Sequence, residues 1–129
     1  MIGLKRKQVD GLTDFLSLVD ILKQGGASRV FVLFCGNRDE ETGESWCSDC
    51  VKADSVINKV VSEQTDDNAT LIVCTVGDKP SWKDPNNPFR THKTLKLTGV
   101  PTLMEWDTPK RLGPEECAKT DLVQLLFEE

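Results

Sequence analysis

The chain has no apolar run of the roughly 20 residues that a membrane-crossing helix needs. It has no surplus of positive charge either. Its 129 residues carry a formal net charge of -5, and the only basic cluster is Lys5-Arg6-Lys7. That balance argues against general binding to nucleic acid or to an anionic membrane, because phosphate contacts need clustered Lys and Arg. The opening "MIGLKRKQVDG" lacks the apolar core of a signal peptide, so a cytoplasmic protein is expected. Resting disulfides are rare in that reducing compartment. Repeats, low-complexity tracts and linkers are missing, and the length suits one domain, read as 1–129. Histidine occurs once, at His92. A structural zinc site commonly uses two cysteine pairs, and here there is one, so no metal is expected.

What the chain does have is five cysteines, and two of them stand close together in "ESWCSDCVKADSV". An odd count weakens a fully paired scaffold. Zinc binding, a structural disulfide and redox exchange are the three readings of Cys47 and Cys50. Redox exchange fits best, because of where the pair stands.

The surrounding pattern is α/β. "GLTDFLSLVDILKQGG" reads as a first helix, capped by Thr13 or Asp14 and ended by Gly25-Gly26. "RVFVLFCG" reads as a strand buried on both faces, and "NATLIVCTVG" as a second. Between them, apolar positions from Cys50 to Val61 mark a helix. "DKPSWKDPNNP" reads as loop, and "NPFRTHKTLKL" as a short helix with Pro88 in its first turn. "PTLMEWD" and "KRLG" form a hairpin about Thr108-Pro109. "PEECAKTDLVQLLFEE" reads as one closing helix that buries Cys117, Leu122, Leu125 and Leu126. The expected order is helix, strand, helix, strand, helix, strand, strand, helix. It predicts a central mixed sheet with helices on both faces.

In that pattern Cys47 stands at the start of a helix. The helix's positive end and its unpaired N–H groups favour a thiolate there, and the thiolate is the reactive form of cysteine. Cys50 lies one turn on, able to attack a mixed disulfide formed at Cys47. Cys47 is therefore read as the nucleophile and Cys50 as the resolving thiol. Pro101, in "TGVPTL", stands between a helical segment and a strand. A cis Val100–Pro101 bond in a tight turn and a trans proline that merely starts the strand are both open readings.

"WCSDC" followed by "GVPT" resembles the thioredoxin superfamily. The insertion before the pair, Asp49 within it, "KPSWKDPNNPFR" and "KLTGVPTL" are similar to one branch of it. That branch is the family of thioredoxin-related proteins of 14 kDa, also called Clot-like or thioredoxin-domain-containing-protein-17. The resemblance runs from about Val9 to Phe127, and "KPSWKDPNNPFR" is its specific part. It implies a thioredoxin-like fold and a monomeric cytosolic disulfide reductase with no bound cofactor. Electrons would come from NADPH through thioredoxin reductase, and substrates would be small or selected disulfides such as cystine and mixed disulfides. It also implies that Pro101 is cis and faces the pair, with the Val100 backbone offered to a substrate chain, and that Trp46 flanks the site. The rival functions are an adaptor whose cysteines hold a partner without turnover, and a glutathione-linked thiol transferase.

The sequence departs from this family at Ser48, where proline is usual. Serine removes a fixed φ and adds a backbone donor, which places the redox potential in question. The strand "VFVLF" lacks the buried aspartate of ordinary thioredoxins, so water or Asp49 would have to take the Cys50 proton. Asp49 also has a plainer reading as a first-turn acid that suits the helix dipole. Trp82 and Phe89 are expected to pin the "KDPNNP" loop. Cys35, Cys74 and Cys117 read as core residues. His92 reads as a surface helix residue, and Lys110-Arg111 as a solvated turn. The loop Asn37–Ser45, with Asp39, Glu40, Glu41 and Glu44, is expected to narrow substrate choice.

Overall fold

The sheet is built around the chain's most apolar segment. In the computed structural model, which describes residues 4–65 and 68–128, strand β2 (Arg29–Cys35) is buried from Val30 to Cys35. It lies in a five-stranded mixed sheet of order β1-β3-β2-β4-β5. Strand β3 (Ala69–Thr75) runs parallel to β2 on one side, and β4 (Thr102–Glu105) antiparallel on the other. A two-residue strand, β5 (Arg111–Leu112), closes the hairpin that the sequence predicts.

Strand β1 (Lys5–Asp10) is a correction to the expected element order. It pairs in parallel with β3, from Lys5 against Thr70 to Asp10 against Thr75. Its side chains are almost all exposed, so the usual alternation of apolar and polar residues is absent and the strand reads as a basic cluster. Arg6 donates to Asn58 at 2.8 Å, so that cluster is tied down by the sheet and by the helix above it.

Helix α1 (Leu12–Gln24) starts without a side-chain cap. Gly11 occupies the cap position at φ 85°, a conformation that glycine adopts without strain, so neither Thr13 nor Asp14 caps it. Helix α2 (Ser48–Ser62) follows the acidic loop. Residues expected to be loop form a short helix, α3 (Lys79–Lys83), because the Asp78 carboxylate caps it by accepting the Ser81 N–H at 3.0 Å. Helix α4 (Pro88–Thr91) is a single turn. The closing helix is broken. A 3-10 turn at Glu116–Ala118 and an extended Lys119 precede α5 (Thr120–Phe127). The break shifts the helical phase, so Val123, Leu126 and Phe127 are buried while Leu125 is 60% exposed, against expectation. Glu129, the last residue of the expected helix, lies outside the described residues.

Two apolar layers cover the sheet. On one face Phe15, Val19, Val32, Phe34, Ile72 and Phe89 pack beneath α1, α3 and α4. On the other, Phe31, Leu33, Ala53, Ile57, Leu71 and Val123 pack beneath α2 and α5. Helices therefore flank both faces. Trp82 and Phe89 are buried, and Arg90 lies 3.9 Å over the Trp82 ring while its Nε donates to the Trp82 carbonyl at 2.7 Å. No helix among the described residues is long and apolar enough to cross a membrane.

Candidate active site

The carboxyl end of β2, the start of α2 and the turn before β4 meet at one edge of the molecule. Cys47 is the N-cap of α2, with an extended backbone at φ -91°, ψ 111°. Its sulfur accepts the N–H of Cys50 at 3.3 Å, one of the donors that a helix start leaves unpaired. As a thiol it lies 3.4 Å from the Val100 carbonyl, to which it donates. The Val100–Pro101 peptide bond is cis, and the Val100 carbonyl lies beside the Cys47 sulfur. One lone pair of that carbonyl remains beside the thiol contact.

Cys50 is the more enclosed of the two, 2% exposed against 9% for Cys47. Its thiol pKa is pushed well up, first by burial and then by its hydrogen bond to Cys47, while the Gly36 N–H works in the opposite direction. The arrangement is asymmetric. One sulfur stands at the helix's positive end near the surface, and the other is held protonated behind it.

Ser45 and Gly36, which the sequence did not single out, complete the setting with Trp46 and Cys35. Ser45 accepts the Cys47 N–H at 3.1 Å and donates to the Gly36 carbonyl at 2.9 Å, fixing the chain's entry to the cap. Its only sequence signal is a serine two residues before the pair. The Trp46 indole donates to the Gly77 carbonyl at 2.9 Å. A Cβ on Gly36 would meet the Trp46 ring at 2.4 Å, so the ring lies flush on the backbone beside the pair. Cys35 is buried at the end of β2, and burial pushes its thiol up to about 12. Leu33, the buried strand residue beneath α2, brings no carboxylate to the pair.

Ser48 and Asp49 are both exposed on the first turn of α2, and Asp49 borders a surface hollow with Glu115 and Glu116. His92 is not a surface helix residue. It caps α4, and its Nδ1 accepts the N–H groups of Thr94 and Leu95, both at 3.2 Å. Lys110 and Arg111 are not a solvated turn either. Lys110 donates to the Glu128 carbonyl at 2.8 Å, and Arg111 to the Leu95 carbonyl at 2.8 Å. Cys74 and Cys117 are buried, and burial raises both thiols to about 12. Among the described residues no group of three or more His, Cys, Asp or Glu could hold a metal ion.

A mixed sheet with helices on both faces, a Cys-x-x-Cys pair at a helix start and a cis-proline turn beside it define a thioredoxin-fold protein. A crystal structure of chloroplastic thioredoxin z agrees in fold, at a TM-score of 0.51 and 15% identity, covering 98% of this chain and 97% of that one. The family model described as "Thioredoxin domain-containing protein 17-like, thioredoxin domain" matches residues 8–129. The chain belongs to this family. It is 46% identical to Thioredoxin domain-containing protein 17 of Danio rerio over 94% of this chain and 93% of the relative. It is 41% identical to the Homo sapiens protein of that name over 100% of this chain and 99% of the relative. It is 40% identical to the Thioredoxin-like protein Clot of Arabidopsis thaliana over 94% and 92%. Family and cysteine pair together support a thioredoxin-like redox role, of the oxidoreductase type.

Proposed function

We propose that this protein is a cytosolic dithiol–disulfide reductase acting on small or selected disulfides, such as cystine and mixed disulfides. The observation that carries the reading is the asymmetry of the pair, with Cys47 outermost at the N-cap of α2 and Cys50 buried behind it. The Cys47 thiolate attacks one sulfur of the substrate disulfide. The S–S bond breaks, Cys47 is left in a mixed disulfide, and the first substrate thiol leaves. Once bonded to substrate, Cys47 no longer donates to the Val100 carbonyl, and the Val100 backbone beside it offers hydrogen bonds to a substrate chain. Cys50 loses its proton, attacks the Cys47 sulfur and releases the second substrate thiol. The product is a Cys47–Cys50 disulfide, and substrate has gained two electrons and two protons. Thioredoxin reductase returns the pair to the dithiol with electrons from NADPH.

Substrate selection falls to the loop at residues 37–45. Connections in α/β units usually take about 2–6 residues, and longer ones tend to be functional. Glu40, Glu41 and Glu44 are exposed on this loop, which leads into the Cys47 N-cap of α2. Their bulk restricts large partners and their charge disfavours acidic ones. The test is reduction of cystine and of an insulin-type protein disulfide, with NADPH and thioredoxin reductase. Cystine turnover at the greater rate is expected. No turnover of either substrate would leave a binding module, and turnover only with glutathione and glutathione reductase would indicate a thiol transferase.

A further inference from the structure

The loop between β2 and α2 has a fixed internal shape. Asp39 Oδ1 accepts the N–H groups of Glu41 at 2.8 Å and Thr42 at 3.2 Å. The Asp39 N–H donates to the Glu44 carbonyl, and the Gly43 N–H to the Asp39 carbonyl, both at 2.8 Å. Arg38 and Ser45 pair across its base as an antiparallel bridge. These bonds shape the loop, but none of them sets where it stands relative to α2.

Ser45 holds the end of the loop at the α2 N-cap, and one further side chain ties the loop to the body of the helix. Arg38 Nη1 donates to the Gly43 carbonyl at 2.9 Å, at the far side of the loop, and Nη2 donates to Asp54 Oδ2 on α2 at 3.1 Å. Asp54 stands four residues after Cys50, one helical turn along the element that carries the pair. Among the described residues this is the only ion pair that joins the loop to α2. The loop that Arg38 opens runs directly into the Cys47 N-cap of that helix.

We propose that Arg38 and Asp54 form a tie that holds the acidic loop against the cysteine-bearing helix, and so set how bulky a disulfide the site admits. This rests on the reading of the loop as a substrate filter. The side chains of Arg38 and Asp54 are 40% and 27% exposed. Such a pair biases a loop without locking it. With the tie made, the rim stands over the pair and admits small disulfides. With it broken, the rim's turn opens more often and swings clear, and a protein disulfide gains access.

The experiment compares Arg38→Ala, Asp54→Ala, the double variant and Asp54→Glu with the wild type. Two quantities are read: the ratio of insulin to cystine reduction rates, and amide exchange at Asp39 and Gly43, which does not depend on turnover. Each single Ala variant is expected to raise the rate ratio and the exchange by about threefold, the scale of one partly exposed ion pair. The double variant should add nothing further, because each single change already breaks the same tie. Asp54→Glu, which keeps the carboxylate, should restore both readouts. Unchanged ratio and exchange in both single variants would overturn the tie. If a shortened loop then raised the ratio, the filter would stand without the tie. If it did not, both would fall.

Discussion

Strand β2 has a different kind of chemistry at each end. At its first residue, Arg29 donates to both Glu105 carboxylate oxygens at 2.8 and 3.0 Å and to the carbonyls of Phe127 and Glu128 at 2.8 and 3.0 Å. Lys110 adds a contact to the same carboxylate at 3.6 Å. Opposite charges and carbonyls satisfy one another there, and the carboxyl end of the chain is fastened to the sheet. At the last residue of β2, Cys35 adjoins Gly36 and the cysteine pair, where thiols face other thiols and one backbone carbonyl. The first end is saturated and therefore structural. The second is held in shape by its backbone, and only weak sulfur contacts link its thiols. Polar groups alone do not distinguish a site from a clamp; whether their partners can be displaced does.

The largest contrast should come from exchanging one atom at each end. Cys47→Ser is expected to lower reductase activity at least about a thousandfold, as loss of a nucleophile does, with little change in the thermal midpoint. Glu105→Gln should do the reverse. Its pKa is held below the usual glutamate value, chiefly by the hydrogen bond from Arg29. A depressed pKa contributes stability that is present above the unfolded value and lost as pH falls through the folded one. Removing the charge should therefore cost about 2–3 kcal/mol at neutral pH. The gap from wild type should close as pH falls below the ordinary value of 4.5. Chemical denaturation at several pH values checks this, with activity per folded molecule retained. A Glu105→Gln protein that is folded but inactive would break the comparison.

A smaller effect is expected where the backbone holds the site. In Gly36→Ala the new methyl must displace the Trp46 ring, at a cost of about 1–3 kcal/mol for overpacking. Tryptophan fluorescence should shift and cystine reduction slow together. Unchanged fluorescence would mean that the ring does not lie on Gly36 in solution.

The mildest test is pH. Because burial, the larger cause, raises the Cys50 pKa and persists in the mixed disulfide, release of substrate from Cys47 should quicken steadily through pH 9.0, the ordinary thiol value. Single-turnover kinetics would show this, and a plateau near neutral pH would contradict it.

The sequence made the site more legible than its surroundings. Cys47, Cys50 and Pro101 stand in short motifs whose chemistry depends on local spacing, so their placement at a helix start and a strand start could be read directly. β2, β3 and α2 were legible because burial leaves a periodic trace. β1 left none, since an exposed edge strand made of Lys5, Arg6, Lys7 and Gln8 has the same composition as a loop. The break at Lys119 was hidden because Cys117 joins Leu122, Leu125 and Leu126 in what reads as one apolar side of a single helix. Arg38, Ser45, Gly36 and Lys110 act on groups that the fold brings to them from elsewhere in the chain. Their roles depend on where the chain returns, which no local pattern records.

The central claim is that Cys47 attacks and Cys50 resolves. Its most direct test is the Cys50→Ser protein, reduced and then mixed with cystine, with the adduct located by mass spectrometry of peptides. One half-cystine on Cys47, stable until a dithiol is added, is the result expected. No adduct at Cys47, or an adduct on Cys35, Cys74 or Cys117 instead, would contradict the account.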